Sequence, residues 1–211
     1  MRSFAVGCFA LALAGACLAQ QWQLGASGGV GFYRNVTVER AGQDAQAGFK
    51  LGPAFSVFAG QDLYNHLGGQ FRYDFQLSDL KVSSGGEEAS LAGQSHAVHY
   101  DLLFLAGKRG AALRPFIAVG GGVKLYRGTG APHESQALGQ FVALTHTSDV
   151  KGLITFGGGV RMKLGRRWCL HVEALDYLTR FPTQVVTPVP PSKLGGWLHD
   201  IVPMLGLSIG F

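Results

Sequence analysis

Hydrophobic and polar residues alternate one by one from Leu67 to Asp79, in the stretch LGGQFRYDFQLSD. Leu67, Gly69, Phe71, Tyr73, Phe75 and Leu77 fall on one side of an extended chain; Gly68, Gln70, Arg72, Asp74, Gln76 and Ser78 fall on the other. A pleated strand keeps two such sets apart, because successive side chains point to opposite faces. Helical spacing would mix them. The same period of two recurs along the chain. Trp22, Leu24, Ala26, Gly28, Val30 and Phe32 form a first stripe, against Gln23, Gly25, Ser27, Gly29 and Gly31. Phe49, Leu51, Pro53, Phe55 and Val57 form the next, and His96, Val98, Tyr100, Leu102 and Phe104 another. A Gly-rich strand is predicted over Pro115 to Arg127, with its faces left open. Val150, Ile154, Phe156, Val160, Met162 and Leu164 oppose Lys151, Thr155, Arg161 and Lys163. Trp168, Leu170, Val172 and Ala174 oppose His171 and Glu173, and Trp197, Ile201, Leu205, Leu207, Ile209 and Phe211 close the series.

Eight strands of this length suit a tilted crossing of a bilayer. Their connections alternate in size: residues 34–47, 83–94, 128–148 and 180–196 are long, while 61–66, 106–113 and 165–167 are short. Long outer loops and short periplasmic turns are the pattern of an outer-membrane barrel. The predicted fold is all-β: an eight-stranded antiparallel up-and-down transmembrane β-barrel over residues 20–211. A soluble sandwich alternates in the same way. Three features favour the membrane. Large aromatics sit at strand ends on the apolar face: Trp22, Phe32, Phe49, Trp168, Trp197 and Phe211, where interfacial girdles form. The opposite face is rich in Gly, Ser and Gln, as a narrow lumen requires. An export leader precedes both.

That leader occupies residues 1–19. Arg2 is followed by an apolar run from Phe4 to Leu18 and by small residues before Gln20, the order of a secretory signal cleaved after Ala19. Acylation of Cys17 is the alternative, and AGAC lacks the Leu usual three residues before a lipoprotein cysteine. Cys8 and Cys17 leave with the leader, so Cys169 remains without an internal disulfide partner. No clustered Cys/His ligand pattern and no cofactor motif appears, so neither metal nor cofactor is expected.

Composition agrees with an apolar, strand-rich chain. Hydrophobic residues make up 47%, charged residues only 15%, and 32 of 211 residues are Gly, against about a quarter charged in soluble domains. The net charge is +5, but the basic residues are scattered in short pairs such as Lys108-Arg109 and Arg166-Arg167. That distribution excludes a nucleic-acid surface.

The polar faces carry charges into the lumen: Arg72 and Asp74, His99 and Asp101, Arg161 and Lys163, His171 and Glu173, and Asp200. Across the turn at 165–167, His171 is expected opposite Arg161 and Glu173 one diagonal step away. Isolated burial of a charge costs several kcal/mol, so these groups must pair. Arg72, Asp74, Asp101, Arg161, Lys163, His171 and Glu173 are therefore predicted to form an ion-pair cluster that plugs and rigidifies the barrel. A narrow pore for small solutes is the alternative. Pro203 lies inside the last strand and predicts a bulge there. Residues 83–94 read as a polar, flexible loop with the adjacent acids Glu87 and Glu88. TPVPPSK, Thr187 to Lys193, reads as a stiff extended one.

The strands RPFIAVGGGVKLY and ITFGGGVRMKLG and the ending MLGLSIGF resemble small bacterial outer-membrane barrels of the OmpA/OmpX type. In that group Gly206, Ile209 and Phe211 would match the closing-strand signal read by the barrel-assembly machinery. Met204 stands where a polar residue is usual. The resemblance implies a monomer in outer-membrane lipid, with a structural or surface-interaction role: integrity, adhesion or binding through the long loops. His146-x-Ser148 has the spacing of the His and Ser in some barrel lipid A deacylases, a base within reach of a hydroxyl. THTSD is also an ordinary loop-end composition. No catalytic role is therefore assigned.

Overall fold

A computed structural model describes residues 21–40, 43–130 and 138–211. The expected leader, with Cys8 and Cys17, lies outside the described residues. Fourteen strands follow one another among them. They are β1 (Gln21–Tyr33), β2 (Val36–Arg40), β3 (Gln43–Phe49), β4 (Gly52–Asp62), β5 (Leu67–Leu77), β6 (Leu80–Ser84) and β7 (Glu87–Leu91). The rest are β8 (Gly93–Leu105), β9 (Leu113–Gly128), β10 (Val142–Leu144), β11 (Ser148–Lys163), β12 (Trp168–Arg180), β13 (Val186–Pro188) and β14 (Trp197–Gly210).

The eight long strands close into one antiparallel barrel in chain order, β1-β4-β5-β8-β9-β11-β12-β14, with β14 returning to β1. Closure leaves no unpaired sheet edge in the apolar belt, the condition for a strand protein to sit in lipid. Alternation then sorts the side chains. Leu24, Phe55, Phe71, Ile117 and Leu205 point outward and are exposed, while Ser56, Arg72, Asp74, His99 and Thr155 point inward and are buried. Trp22, Trp168 and Phe211 ring the end that holds the short turns, and Phe32 and Trp197 lie at the other end.

The six short strands lie within the long connections. β2, β3, β6 and β7 form a four-stranded sheet, and β10 pairs with β13. Phe49, Leu80, Val82, Phe141, Val142, Phe181, Val185 and Leu198 bury their side chains beneath them in one apolar cluster. The long connections are thus a folded cap over the barrel mouth. Most of residues 83–94 belongs to the β6–β7 hairpin, whose turn uses Gly85 and Gly86 at φ 59° and 91°, where a side chain would be strained. This corrects the flexible-loop expectation. Phe49 is likewise corrected. It is 5% exposed and stacks on Tyr126 at 5.3 Å, inside the cap rather than in an interfacial girdle.

Pro203 introduces no bulge. β12 pairs through it in unbroken register, Ala174 with Pro203. On the β1 side the pairs run from Gly29–Met204 to Phe32–Ile201 without an inserted residue. The ladder lapses opposite Pro203, which has no N–H to donate, and the register survives. A Cβ on Gly29 would collide with the Pro203 carbonyl oxygen, so glycine permits this close approach.

Candidate functional site

The inward faces build a stack of charged layers along the barrel axis. At mid-height Arg72 of β5 meets Glu173 of β12 at 2.6 Å, each side chain 1% exposed. The Arg72 guanidinium also lies 5.1 Å over the Phe58 ring. Beside it His99 of β8 spans two carboxylates, Nε2 at 2.7 Å from Asp74 and Nδ1 at 3.0 Å from Asp101. Carboxylates only accept, so this geometry has both ring nitrogens donating. The Thr155 hydroxyl donates to Asp101, and the Tyr177 ring sits edge-on to His99 at 5.4 Å.

Toward the short turns, Asp62 of β4 gathers two guanidiniums, Arg114 at 2.5 Å and Arg161 at 3.2 Å. Toward the cap, Lys124 of β9 donates to Asp200 at 2.5 Å and to Gln76 at 2.9 Å. Its ammonium is boxed by the rings of Tyr33, Tyr126 and Tyr177, 5.1 to 5.3 Å away. Water-excluded charges need such partners, because an unpaired one costs several kcal/mol. Above this layer the apolar cap cluster begins, with Tyr126 belonging to both.

Most of the anticipated lumen charges lie in these layers, but with partners of their own. Arg161 and His171 stand opposite in register. Arg161 nevertheless turns to Asp62, and the His171 Nε2 lies 2.7 Å from the Ser208 hydroxyl. Glu173 reaches across the lumen to Arg72 instead of to Arg161. Lys163 departs from the expected cluster. It is exposed at the end of β11 and pairs with no carboxylate among the described residues. The strand ends one layer below the plug there. Asp62, Arg114 and Lys124 were not anticipated. Asp62 continues the inward series Ala54, Ser56, Phe58, Gly60, and Lys124 the series Phe116, Ala118, Gly120, Gly122, so alternation carried both. The adjoining turn and the Gly-rich face hid them.

His146 and Ser148 are both exposed in the segment that enters β11, and no hydrogen bond joins them among the described residues. Nearby, the Thr145 and Thr147 hydroxyls both donate to the Gln184 carbonyl, at 2.6 and 2.7 Å. Glu87 and Glu88 are exposed on the β6–β7 hairpin, and Glu88 takes Lys50 at 2.8 Å and Lys81 at 3.2 Å. Among the described residues no group of three His, Cys, Asp or Glu is placed to hold a metal ion. Below the plug the barrel opens into a vestibule of about 700 Å³ at the short-turn end.

A closed eight-stranded barrel is also the fold of solved structures similar to this chain. The fold is that of a small outer-membrane β-barrel. The outer membrane protein OprG from Pseudomonas aeruginosa superposes with a TM-score of 0.56 at 11% identity, covering 91% of this chain and 95% of that one. Neisserial surface protein A gives 0.51 at 10% identity, over 90% and 97%. At these identities the likeness is one of fold. No protein-family model and no curated protein matches the sequence.

Proposed function

We propose that this chain is an integral, monomeric β-barrel of the bacterial outer membrane, closed to conduction, with a rigid outer cap as its interaction surface. The observation that carries the reading is the filling of the lumen by paired side chains from the Asp62 layer up to the cap. Asp62 with its two arginines, the Arg72–Glu173 and His99 layer, and Lys124–Asp200 bury charge at successive heights, and the cap cluster covers the layer above. Eight strands leave an interior only wide enough for side chains. A path for solutes would require breaking several paired charges together.

The cap supports the second half of the reading. Its excursions are tied to one another. Glu39 and Lys193 exchange backbone hydrogen bonds, the Ser84 hydroxyl donates to the Asp44 carbonyl, and Glu88 links Lys50 with Lys81. A surface already ordered before contact loses less entropy on binding than free loops do. Adhesion or another loop-borne contact suits it better than catalysis. Gly206, Ile209 and Phe211 would serve assembly, Phe211 as the exposed end of the closing strand.

Planar-bilayer recording tests the closed state. Purified protein should insert, show heat-modifiable gel mobility and give no single-channel steps. Regular conductance steps would overturn the plug, and a protein extracted by carbonate with no mobility shift would overturn the barrel. Expression with lipid A mass spectrometry tests the catalytic alternative. Loss of an acyl chain that Ser148→Ala abolishes would replace the present reading with an enzyme.

A further inference from the structure

The vestibule is lined by Arg114, Arg161, Lys163, Arg166 and Arg167, with Asp62 the carboxylate side chain among its walls. Asp62 is already engaged by Arg114 and Arg161. Lys163, Arg166 and Arg167 are exposed and form no ion pair among the described residues. Three free cations on one wall repel one another and attract an anion. The rim identifies the anion. Trp22, Trp168 and Phe211 also line this cavity, and all three are exposed on the barrel's outer surface. Such aromatics settle at the headgroup level of a bilayer. The cationic wall is therefore at the depth of lipid phosphates.

We propose that this vestibule binds the headgroup of an anionic phospholipid from the leaflet at the short-turn end, its phosphate held by Lys163, Arg166 and Arg167. The inference rests on the outer-membrane reading above. Arginine forks and lysine ammonium groups both suit phosphate oxygens. The Trp22 and Trp168 rings then pack on the glycerol and upper acyl region. The bound lipid fills the open end that the plug leaves unoccupied by side chains. Each cation near an anionic surface contributes roughly fivefold in affinity, so the three together contribute about a hundredfold.

The test reconstitutes the full barrel in nanodiscs of phosphatidylethanolamine and phosphatidylglycerol in equal amounts. Native mass spectrometry then counts the lipids retained. Wild type should keep phosphatidylglycerol in preference, and Lys163→Gln/Arg166→Gln/Arg167→Gln should lose that preference by about a hundredfold. All three side chains are exposed and outside the buried pairs, so the variant should retain its heat-modifiable mobility. Arg127→Gln/Arg180→Gln removes two exposed cations from the cap end and should leave retention unchanged. Equal retention by the triple variant and wild type would overturn the site, as would an equal loss in the cap-end variant. Inorganic phosphate that saturates wild type at micromolar concentration, without displacement by phosphatidylglycerol, would overturn the lipid assignment in favour of a soluble anion. Failure to insert into nanodiscs would instead overturn the membrane reading itself.

Discussion

Removing one partner of the Arg72–Glu173 pair should destabilise the barrel far more than removing both. The two side chains meet at 2.6 Å, each 1% exposed. At that distance the gross attraction is about 6 kcal/mol in an effective dielectric of about 20. Desolvating each ion costs several kcal/mol, so the net worth of the intact pair is small. A lone buried charge keeps the desolvation cost without the attraction, and Arg72→Met should therefore lose about 3–5 kcal/mol. Glu173→Leu should lose less, since Asp74 stands two residues from Arg72 on the same inward face and offers a second carboxylate. The double variant Arg72→Met/Glu173→Leu should recover most of the loss, with a coupling of at least about 2 kcal/mol. Urea unfolding in detergent micelles, followed by tryptophan fluorescence, measures all three, since Trp22, Trp168 and Trp197 report from the outer surface. Additivity of the single losses within about 0.5 kcal/mol would refute the pairing argument.

Other perturbations probe the remaining layers. Phe49→Ala should cost about 3–5 kcal/mol in the cap core; proteolysis should cut the cap faster while the barrel keeps its gel mobility. Gly120→Leu should destabilise by about 1–3 kcal/mol through overpacking, because its Cβ would collide with the Asp101 carboxylate and the Tyr100 carbonyl; a denaturation midpoint equal to wild type would oppose this. Lys50 and Lys81 donate to Glu88 and hold its carboxyl below the usual value of 4.5. That pairing stabilises the β6–β7 hairpin above the ordinary Glu value and is lost as pH falls through the lowered native one. Protection factors of the hairpin amides, with the intrinsic pH dependence of exchange divided out, should therefore fall on acidification in wild type and much less in Glu88→Gln.

Period-two alternation was enough to place the eight long strands and the face of most of their residues, because the pleat is a local property of the backbone. Lumen residues such as Arg72, Asp74, Asp101 and Glu173 could be named from it alone. Their partners could not. Glu173 meets Arg72 across the lumen, and Asp62 collects Arg114 and Arg161, because the stagger of a closed barrel brings together strands far apart in sequence. The cap was hidden for the same reason. Phe49 alternates like a lipid-facing residue, and only packing against Tyr126 and Phe181 puts it in a core. Lys163 sits on the inward face but beyond the last plugged layer, so its surroundings depend on where neighbouring strands end. Local periodicity decided which way each side chain points. The closure of the sheet and the docking of its long connections decided what each one meets.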